Sequence, residues 1–549
     1  MAVLSRRHLL TGALLGTSFG RLAYGAPLYP RFRPLSLSEL YAGRLRFKDR
    51  EPAVSIGLGR GLSDVRVSSS MPLRLIFEEA NLPKIEFVEG EIRLRPNALE
   101  SGARRFWVQA ERFDYGARPD AEASAKAWAK RGLRVSIQEK GVVMALRGNV
   151  LDTRHLRVWV GGFRRREDAD ALRDRLFAEE GRSSAIQVES VEHPRGTVDV
   201  MLGGRTLYRA RGPVCVTTAR THNLSWGDGG VYRGDFYVVP DHHGGLSLVN
   251  SVGAERVLSG LVPAEMFASA PLEALKAQAV TARGALFAKL GQRHFDEPFH
   301  LCSDQHCQVY RGADGEAPRT DQAVAATRGL LPMRDIPSSD PAVELVPSLY
   351  SSTCGGYSED NDAVWDQPAD PSLRARIDGS PEDPELRPFA AGLNEDNIRA
   401  WVEAWPDTFE SRSSFVRPDR YRWRRTMEAE ALSGATADLE VGPVVRLEVL
   451  GRGSGGRVTG LRVVGLDGTK VILRELPVRK RFGLDSGMFV LNHVRDSDGN
   501  LLSVEFVGGG WGHGAGMCQM GAIGRAEAGQ SFEEILAHYY SGARVMKIY

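Results

Sequence analysis

The stretch from 104 to 190 constrains the fold most, because strand and helix periods alternate there in a fixed order. "RRFWVQAERF" reads as a strand, and "PDAEASAKAWAKRGL" sets Ala121, Ala125 and Trp128 at helical spacing. "RVSIQEK" and "HLRVWVGGF" are two further strands. "RREDADALRDRLFAEEG" carries Ala169, Leu172 and Leu176 at the core spacing of an amphipathic helix, and "SSAIQVES" closes the set. The order β-α-β-β-α-β predicts a small antiparallel sheet with two helices on one face. Arg164, Arg165 and Arg166, followed at once by Glu167 and Asp168, read as a solvated helix start.

The flanking segments differ. Residues 27–103 read as a linker and a β-rich N-terminal segment, with "AVSIGLGRGL", "VRVSSS" and "EIRLRP" as short strands. Residues 197–260 return to strands ("TVDVML", "VYRGDFYVV", "LSLVNSV"). A helix follows from Pro271, with Leu272, Leu275, Ala279 and Ala282 on one side. Residues 367–425 are rich in proline and charge, 440–506 read as strands with glycine turns, and "FEEILAHYYSG" is a helix stopped by Gly542. At 549 residues the chain should hold about three domains. The expected fold class is α+β and multidomain: the small module at 104–190 and a larger mixed domain over 197–549, with a long insert at about 375–500.

The first 26 residues look like an export signal. "SRRHLLTGALLGTSFGRLAYGA" pairs Arg6 with Arg7, then has an apolar run from Leu9 to Phe19 and small residues near 23–26. The run is too short to span a bilayer, and the Arg-Arg pair resembles a twin-arginine signal, which implies export in the folded state. The expected location is the periplasm or cell envelope, with the division septum as one place within it. No transmembrane anchor is expected after signal removal. A formal charge of +2 gives no global reason to expect nucleic acid as a partner.

Three stretches are rich in Gly, Cys, His and small polar residues that a core does not need: "HLCSDQHCQVYRG", "SLYSSTCGGYSEDNDAVW" and "GGGWGHGAGMCQMGAIGRA". Such loops on a rigid scaffold are where sites usually lie. A fourth, "LVPAEMFASAPLEALKAQAV", holds two glutamates. Glu273 falls in the first turn of the predicted helix, where its charge complements the dipole. Glu265 lies before that helix, after a strand-like lead-in, "RVLSGLV", with apolar neighbours. A carboxyl desolvated there has its pKa raised, which suits a general acid. The bland alternative is a carboxylate paired with a core arginine such as Arg283. The acids of "SEDNDAVWD" (Glu359, Asp360, Asp362, Asp366) read as a solvated or turn-forming loop.

In combination and in order, "VPAEM", "LEALKAQAVTAR", "HCQVYRG", "ATRGL", "SLYSSTCGGYSE", "GWGHGAGMCQMGAIGRA" and "ILAHYYSGARV" resemble the SpoIID/LytB family of cell-wall proteins. The resemblance covers roughly 231–365 and 505–549. It departs at Gly284 and Ala285, where the family often has Thr and Tyr. It implies either a lytic transglycosylase acting on denuded peptidoglycan glycan strands or an enhancer of a partner amidase, and it places the catalytic acid at Glu265. The stretch 104–190, through "WVQAERF" and "RVWVGGFRRREDADALRDRL", resembles a SPOR domain, which implies binding of the same denuded glycan.

A lytic transglycosylase needs one carboxyl, which protonates the leaving oxygen and then deprotonates the substrate's own C6 hydroxyl; most glycosidases need two. No cofactor is required for this. Tyr350, Ser352, His513 and Gln519 are expected glycan contacts, with Trp511 and Tyr357 as aromatic faces. Five cysteines, Cys215, Cys302, Cys307, Cys354 and Cys518, leave at least one outside intrachain disulfides. Zinc held by Cys302 and His306, which the resemblance also suggests, competes with a disulfide, for instance one joining Cys302 or Cys307 to Cys354 or Cys518, and with free thiols. A zinc-dependent hydrolase centred on 300–307 is the alternative that differs in mechanism.

Overall fold

The strand Glu51–Leu62 is buried over most of its first seven residues rather than at alternate ones, the pattern of a strand covered on both faces. Its backbone needs partners along both edges. Leu246–Gly253 pairs antiparallel on one edge, with Val54 opposite Val252 and Ser55 opposite Ser251. Arg46–Lys48 and, in parallel, Leu301–Cys302 pair on the other. Further along, Ile92–Glu100 pairs with Arg195–Leu202, Leu94 opposite Val200. The structure is a computed structural model that describes residues 35–43, 45–48, 51–80, 82–146, 149–180, 184–218, 223–227, 230–335, 343–365 and 367–549. The expected export signal lies outside the described residues.

The strands of 51–100 therefore do not form a unit apart from 197–260. Both segments build one 13-stranded sheet, and residues 103–192 form an excursion between two of its paired strands. Local sequence shows each strand but not its distant partner, so the division expected at 103 and 197 is corrected here.

The excursion runs β-α-β-β-α-β, with a hairpin, Val143–Leu146 on Asn149–Asp152, added between the two middle strands. Its four strands are antiparallel. Arg118–Lys130 and Arg166–Glu180 cover one face, packing Trp128 and Leu172 onto Val108, Leu156 and Val158 of the strands. The opposite face turns Trp107 and Trp159 inward, and Trp159 meets Phe295 at 5.6 Å. Arg164–Arg166 are exposed, with Arg165 paired to Asp168, as a solvated helix start should be.

The lead-in to Glu265 is helical, not strand-like. Helix α1 (Ala254–Glu265) buries Ala254, Val257, Leu258, Leu261 and Val262, the i, i+3, i+4, i+7 spacing of one helix face. Gly260 and Pro263 disguise it in the sequence. Gly260 is needed because a Cβ there would lie 2.3 Å from the Gly312 carbonyl oxygen, and Pro263 falls in the last turn. Helix α2 (Leu272–Lys289) starts as expected: Glu273, in its first turn, pairs with Lys276 at 2.7 Å. Arg283 is wholly buried, but its partner is Glu255 at the start of α1 (2.9 and 2.8 Å), which removes the bland alternative for Glu265.

The insert contains two three-stranded sheets around a shared core that includes Leu447, Leu461, Phe489 and Phe506. Its anchor is the acid loop expected to be solvated. Glu359 is fully buried and accepts the N–H groups of Asp360, Gly455 and Arg457 at 2.9–3.0 Å. Asp360 and Asp362 both pair with Arg374; Asp366 lies outside the described residues. The alternation of acids with small residues concealed a buried cap. Strand β1 (Tyr350–Ser351) then pairs in parallel with β2 (Met517–Cys518), which leads into α3 (Gln519–Glu527). Gly514, at φ +74°, leaves room for the Arg457 guanidinium. No helix among the described residues is long and apolar enough to cross a membrane.

Candidate active site

Glu265 is the last residue of α1, where the exposed helix carbonyls already carry partial negative charge. Burial raises its pKa; the Tyr350 phenol and the Lys289 ammonium favour the carboxylate and oppose the rise without cancelling it. The helix terminus acts in the same direction as burial. The Gln519 amide donates to the Glu265 carbonyl oxygen at 2.8 Å and to Gln278 Oε1 at 3.3 Å. Gln519 thus fixes the end of α1 in place.

Tyr350 comes from β1 and stays a phenol, because burial and the Glu265 charge both raise its pKa. Gln308 donates to its oxygen at 3.4 Å. His513 lies one step further out. Burial, with the Arg457 and Arg479 charges behind it, pushes its pKa down to about 3, so the ring is neutral. Its Nδ1 accepts the Ala515 N–H at 3.1 Å and its other nitrogen bonds the Tyr350 carbonyl. The ring rests on Trp365, 4.8 Å between centroids. A neutral imidazole with both nitrogens engaged holds Tyr350 and cannot act as an acid near neutral pH.

Glu265 and Gln519 line a cleft of about 220 Å³, whereas Tyr350 and His513, expected as glycan contacts, stand behind Glu265 and do not line it. Among the described residues, Glu265 is the only carboxylate lining it. Ser352 lines it as well, and the Ser352 carbonyl accepts the Met520 N–H at 3.2 Å. One wall is apolar: Phe267, 57% exposed, stacks on Phe415 at 5.6 Å. Arg417 and Arg420 also line the cleft. Trp511 is exposed beside them, whereas Tyr357 is buried against Trp401 and offers no face to a sugar. Phe415, Arg417 and Arg420 lie in the insert that sequence reasoning left unread. Aromatic residues interleaved with arginine in "SSFVRPDRYRW" were the available signal.

The structure gathers Cys302 and His306 with two more donors, His294 and Cys307, all four ligand atoms within 4.8 Å of one another. His294 Nε2 is 3.2 Å from Cys307 Sγ, and His306 Nδ1 is 3.6 Å from each sulfur. Tetrahedral zinc at roughly 2.0–2.3 Å from each ligand needs donors about 3.3–3.8 Å apart. The set fits. Four protein ligands close the coordination sphere, and none of them lines the Glu265 cleft, so a structural role suits it better than the zinc hydrolase alternative. His300 is committed elsewhere, to Ser55 and the Gly43 carbonyl.

Cys354 and Cys518 lie in a separate buried cluster with Glu410, and all five cysteines are free thiols. A disulfide from Cys302 or Cys307 to either of them is therefore not formed. Cys354 donates to Glu410 at 2.9 Å, and burial raises the Glu410 pKa to about 7.

Residues 242–332, which include Glu265, Cys302 and His306, match the family model described as stage II sporulation protein (SpoIID). Residues 359–516 match a domain of unknown function, DUF8618, and cover the insert. An amidase enhancer of Bacillus subtilis is 28% identical over 52% of this chain and 39% of its own length. Stage II sporulation protein D of the same organism is 25% identical over 56% of this chain and 78% of its own length. An uncharacterized protein of Brachyspira hyodysenteriae is 23% identical over 57% and 72%. The part of the chain that carries Glu265 is thus similar to the SpoIID family model and to these two named relatives.

Proposed function

We propose that this chain is a peptidoglycan lytic transglycosylase that cleaves denuded glycan strands, with Glu265 as its single acid and base. The observation that carries the reading is Glu265 itself: among the described residues it is the one carboxyl lining the cleft, with a pKa raised by burial. A protonated Glu265 donates to the glycosidic oxygen as the bond to the muramoyl C1 breaks. The carboxylate left behind faces the developing oxocarbenium ion and stabilises it electrostatically. It then accepts the proton of the C6 hydroxyl as that oxygen closes on C1, giving a 1,6-anhydro-muramoyl end and restoring the acid. Tyr350 steadies the carboxylate stage by donating a hydrogen bond. Gln519 and His513 position Glu265 and Tyr350, and Ser352 is a sugar contact.

The rest of the chain suits the same polymer. The module at 103–192 is proposed as a SPOR-like glycan-binding unit; tethered to the cleft, it raises the local concentration of cleavable strand. Cys302, His306, His294 and Cys307 would hold zinc, which would brace the 302–307 loop. The protein is proposed to act after export, in the periplasm or cell envelope, including the division septum.

A second reading, enhancement of a partner amidase, is favoured by the relative that bears that name. Purified protein incubated with denuded strands separates the two. Release of anhydro-muramoyl products, abolished in Glu265→Gln, supports the enzyme. Equal or no release from wild type and variant, with amidase stimulation intact in both, supports the enhancer.

A further inference from the structure

We propose that Arg420, with Arg417 beside it, is a carboxylate-reading subsite of the Glu265 cleft, and that its ligand is the lactyl carboxylate of a muramic acid residue. This rests on the reading of the cleft as a glycan cleft. Arg420 is half-buried, and its guanidinium lies 4.3 Å from the Trp511 ring centroid. It forms no ion pair with any described residue. The two acids that feel its charge are engaged elsewhere, Asp485 with Arg425 at 2.7 Å and Asp419 with Arg417 at 2.8 Å. Among the described residues Arg417 pairs with exposed Asp419 alone, a surface contact worth little. The Arg420 N–H bonds the Arg417 carbonyl at 2.9 Å, and the turn this makes brings both side chains to the cleft.

The surroundings want a polar ligand. Thr353 is 1% exposed, lines the cleft, and its hydroxyl has no hydrogen-bond partner. Its backbone pairs with Trp511 in both directions (3.2 and 2.9 Å), so the free hydroxyl and the Arg420 platform belong to one rigid bridge. Phe267 and Phe415 supply an apolar wall for a sugar face.

With Glu265 protonated, the described side chains lining the cleft include two arginines, of which Arg417 is paired with Asp419 and Arg420 is not, and no carboxylate, which favours an anionic ligand at Arg420. A guanidinium matches a carboxylate with two parallel hydrogen bonds. A denuded strand offers that carboxylate; a strand still bearing its peptide offers a neutral amide there and leaves the arginine unpaired. The insert would thus supply the preference for denuded strand.

The test uses the exported full chain carrying Glu265→Gln, so that ligand is not consumed. Its affinity is measured by calorimetry for denuded strands and for the same strands with their carboxyls methyl-esterified. The acid strands should bind about ten- to a hundredfold tighter. Adding Arg420→Gln should shrink that ratio to under about threefold, and Arg420→Lys should restore part of it. If Arg420→Gln fails to fold, Arg417→Gln, at an exposed position, should still narrow the ratio. Equal binding of acid and ester, or a ratio unchanged by Arg420→Gln and Arg417→Gln, overturns the subsite. A chain that binds in this carboxylate-dependent way but, with Glu265 intact, releases no anhydro ends supports the subsite and overturns the lytic reading alone.

Discussion

Replacing Glu255 by Gln should destabilise the protein by about 3–5 kcal/mol, the cost of leaving a buried charge without its partner. Arg283 is 0% exposed. Its Nε and Nη2 donate to the two Glu255 oxygens at 2.9 and 2.8 Å, and the Tyr549 hydroxyl donates to the same carboxylate at 2.6 Å. Glutamine leaves a neutral amide in place of the carboxylate, so the buried guanidinium keeps only uncharged partners, among them the Leu330 carbonyl at 3.1 Å. Against a total stability of about 5–15 kcal/mol, that loss is large. The double replacement Glu255→Leu with Arg283→Met should cost at least about 2 kcal/mol less than the two single replacements together, because it removes both charges. Urea denaturation of the four proteins gives the cycle. Since Arg283 does not touch Glu265, the pH dependence of activity in the folded fraction should not move. A single-variant cost below about 1 kcal/mol, strictly additive effects, or a shifted pH profile would refute the assignment of Arg283 to Glu255.

Three further outcomes follow from the site. Tyr350→Phe removes a hydrogen bond that favours the Glu265 carboxylate, so Glu265 holds its proton to higher pH and the alkaline limb of kcat/KM should move up; a downward shift contradicts the contact. Cys302→Ser should lower the zinc content from about one per chain, measured by elemental analysis, and lower the melting temperature, while anhydro-product chemistry persists in folded protein. Glu410 titrates near 7 in the fold against 4.5 in the unfolded chain, with burial as the main cause. The neutral form is favoured on folding, so its contribution is full below pH 4.5 and lost as pH rises through about 7. The gap, at about 1.36 kcal/mol per pH unit, amounts to about 3 kcal/mol. Glu410→Gln should flatten stability over that window, and an equally steep fall in the variant would contradict it.

The small module was legible because its helices bury one face and its strands keep their period; only the added hairpin at 143–152 gave no separate signal. The 13-stranded sheet was not legible, since strands near 54 and 252 pair across about two hundred residues that carry no trace of the register. Glu265 could be singled out by its apolar neighbours, although α1 was hidden by Gly260 and Pro263, each of which suits a helix only through a contact or position the sequence does not show. Cys302 and His306 could be paired by spacing as candidate ligands, but His294 reaches them through the loop after α2 and could not be counted. Glu359 was misread because a buried acid that caps backbone N–H groups looks, in sequence, like a solvated one. Arg417 and Arg420 came from the insert, whose strands were visible but whose place beside the cleft depends on the β1–β2 pairing.

The central claim is that Glu265 directs the C6 hydroxyl, and not water, onto the muramoyl C1. Digesting denuded strands in water labelled with heavy oxygen, then weighing the products by mass spectrometry, tests it directly. The account predicts anhydro ends with no incorporated label, formed by wild type and absent with Glu265→Gln. Labelled reducing ends, or anhydro ends formed equally by the variant, would contradict it.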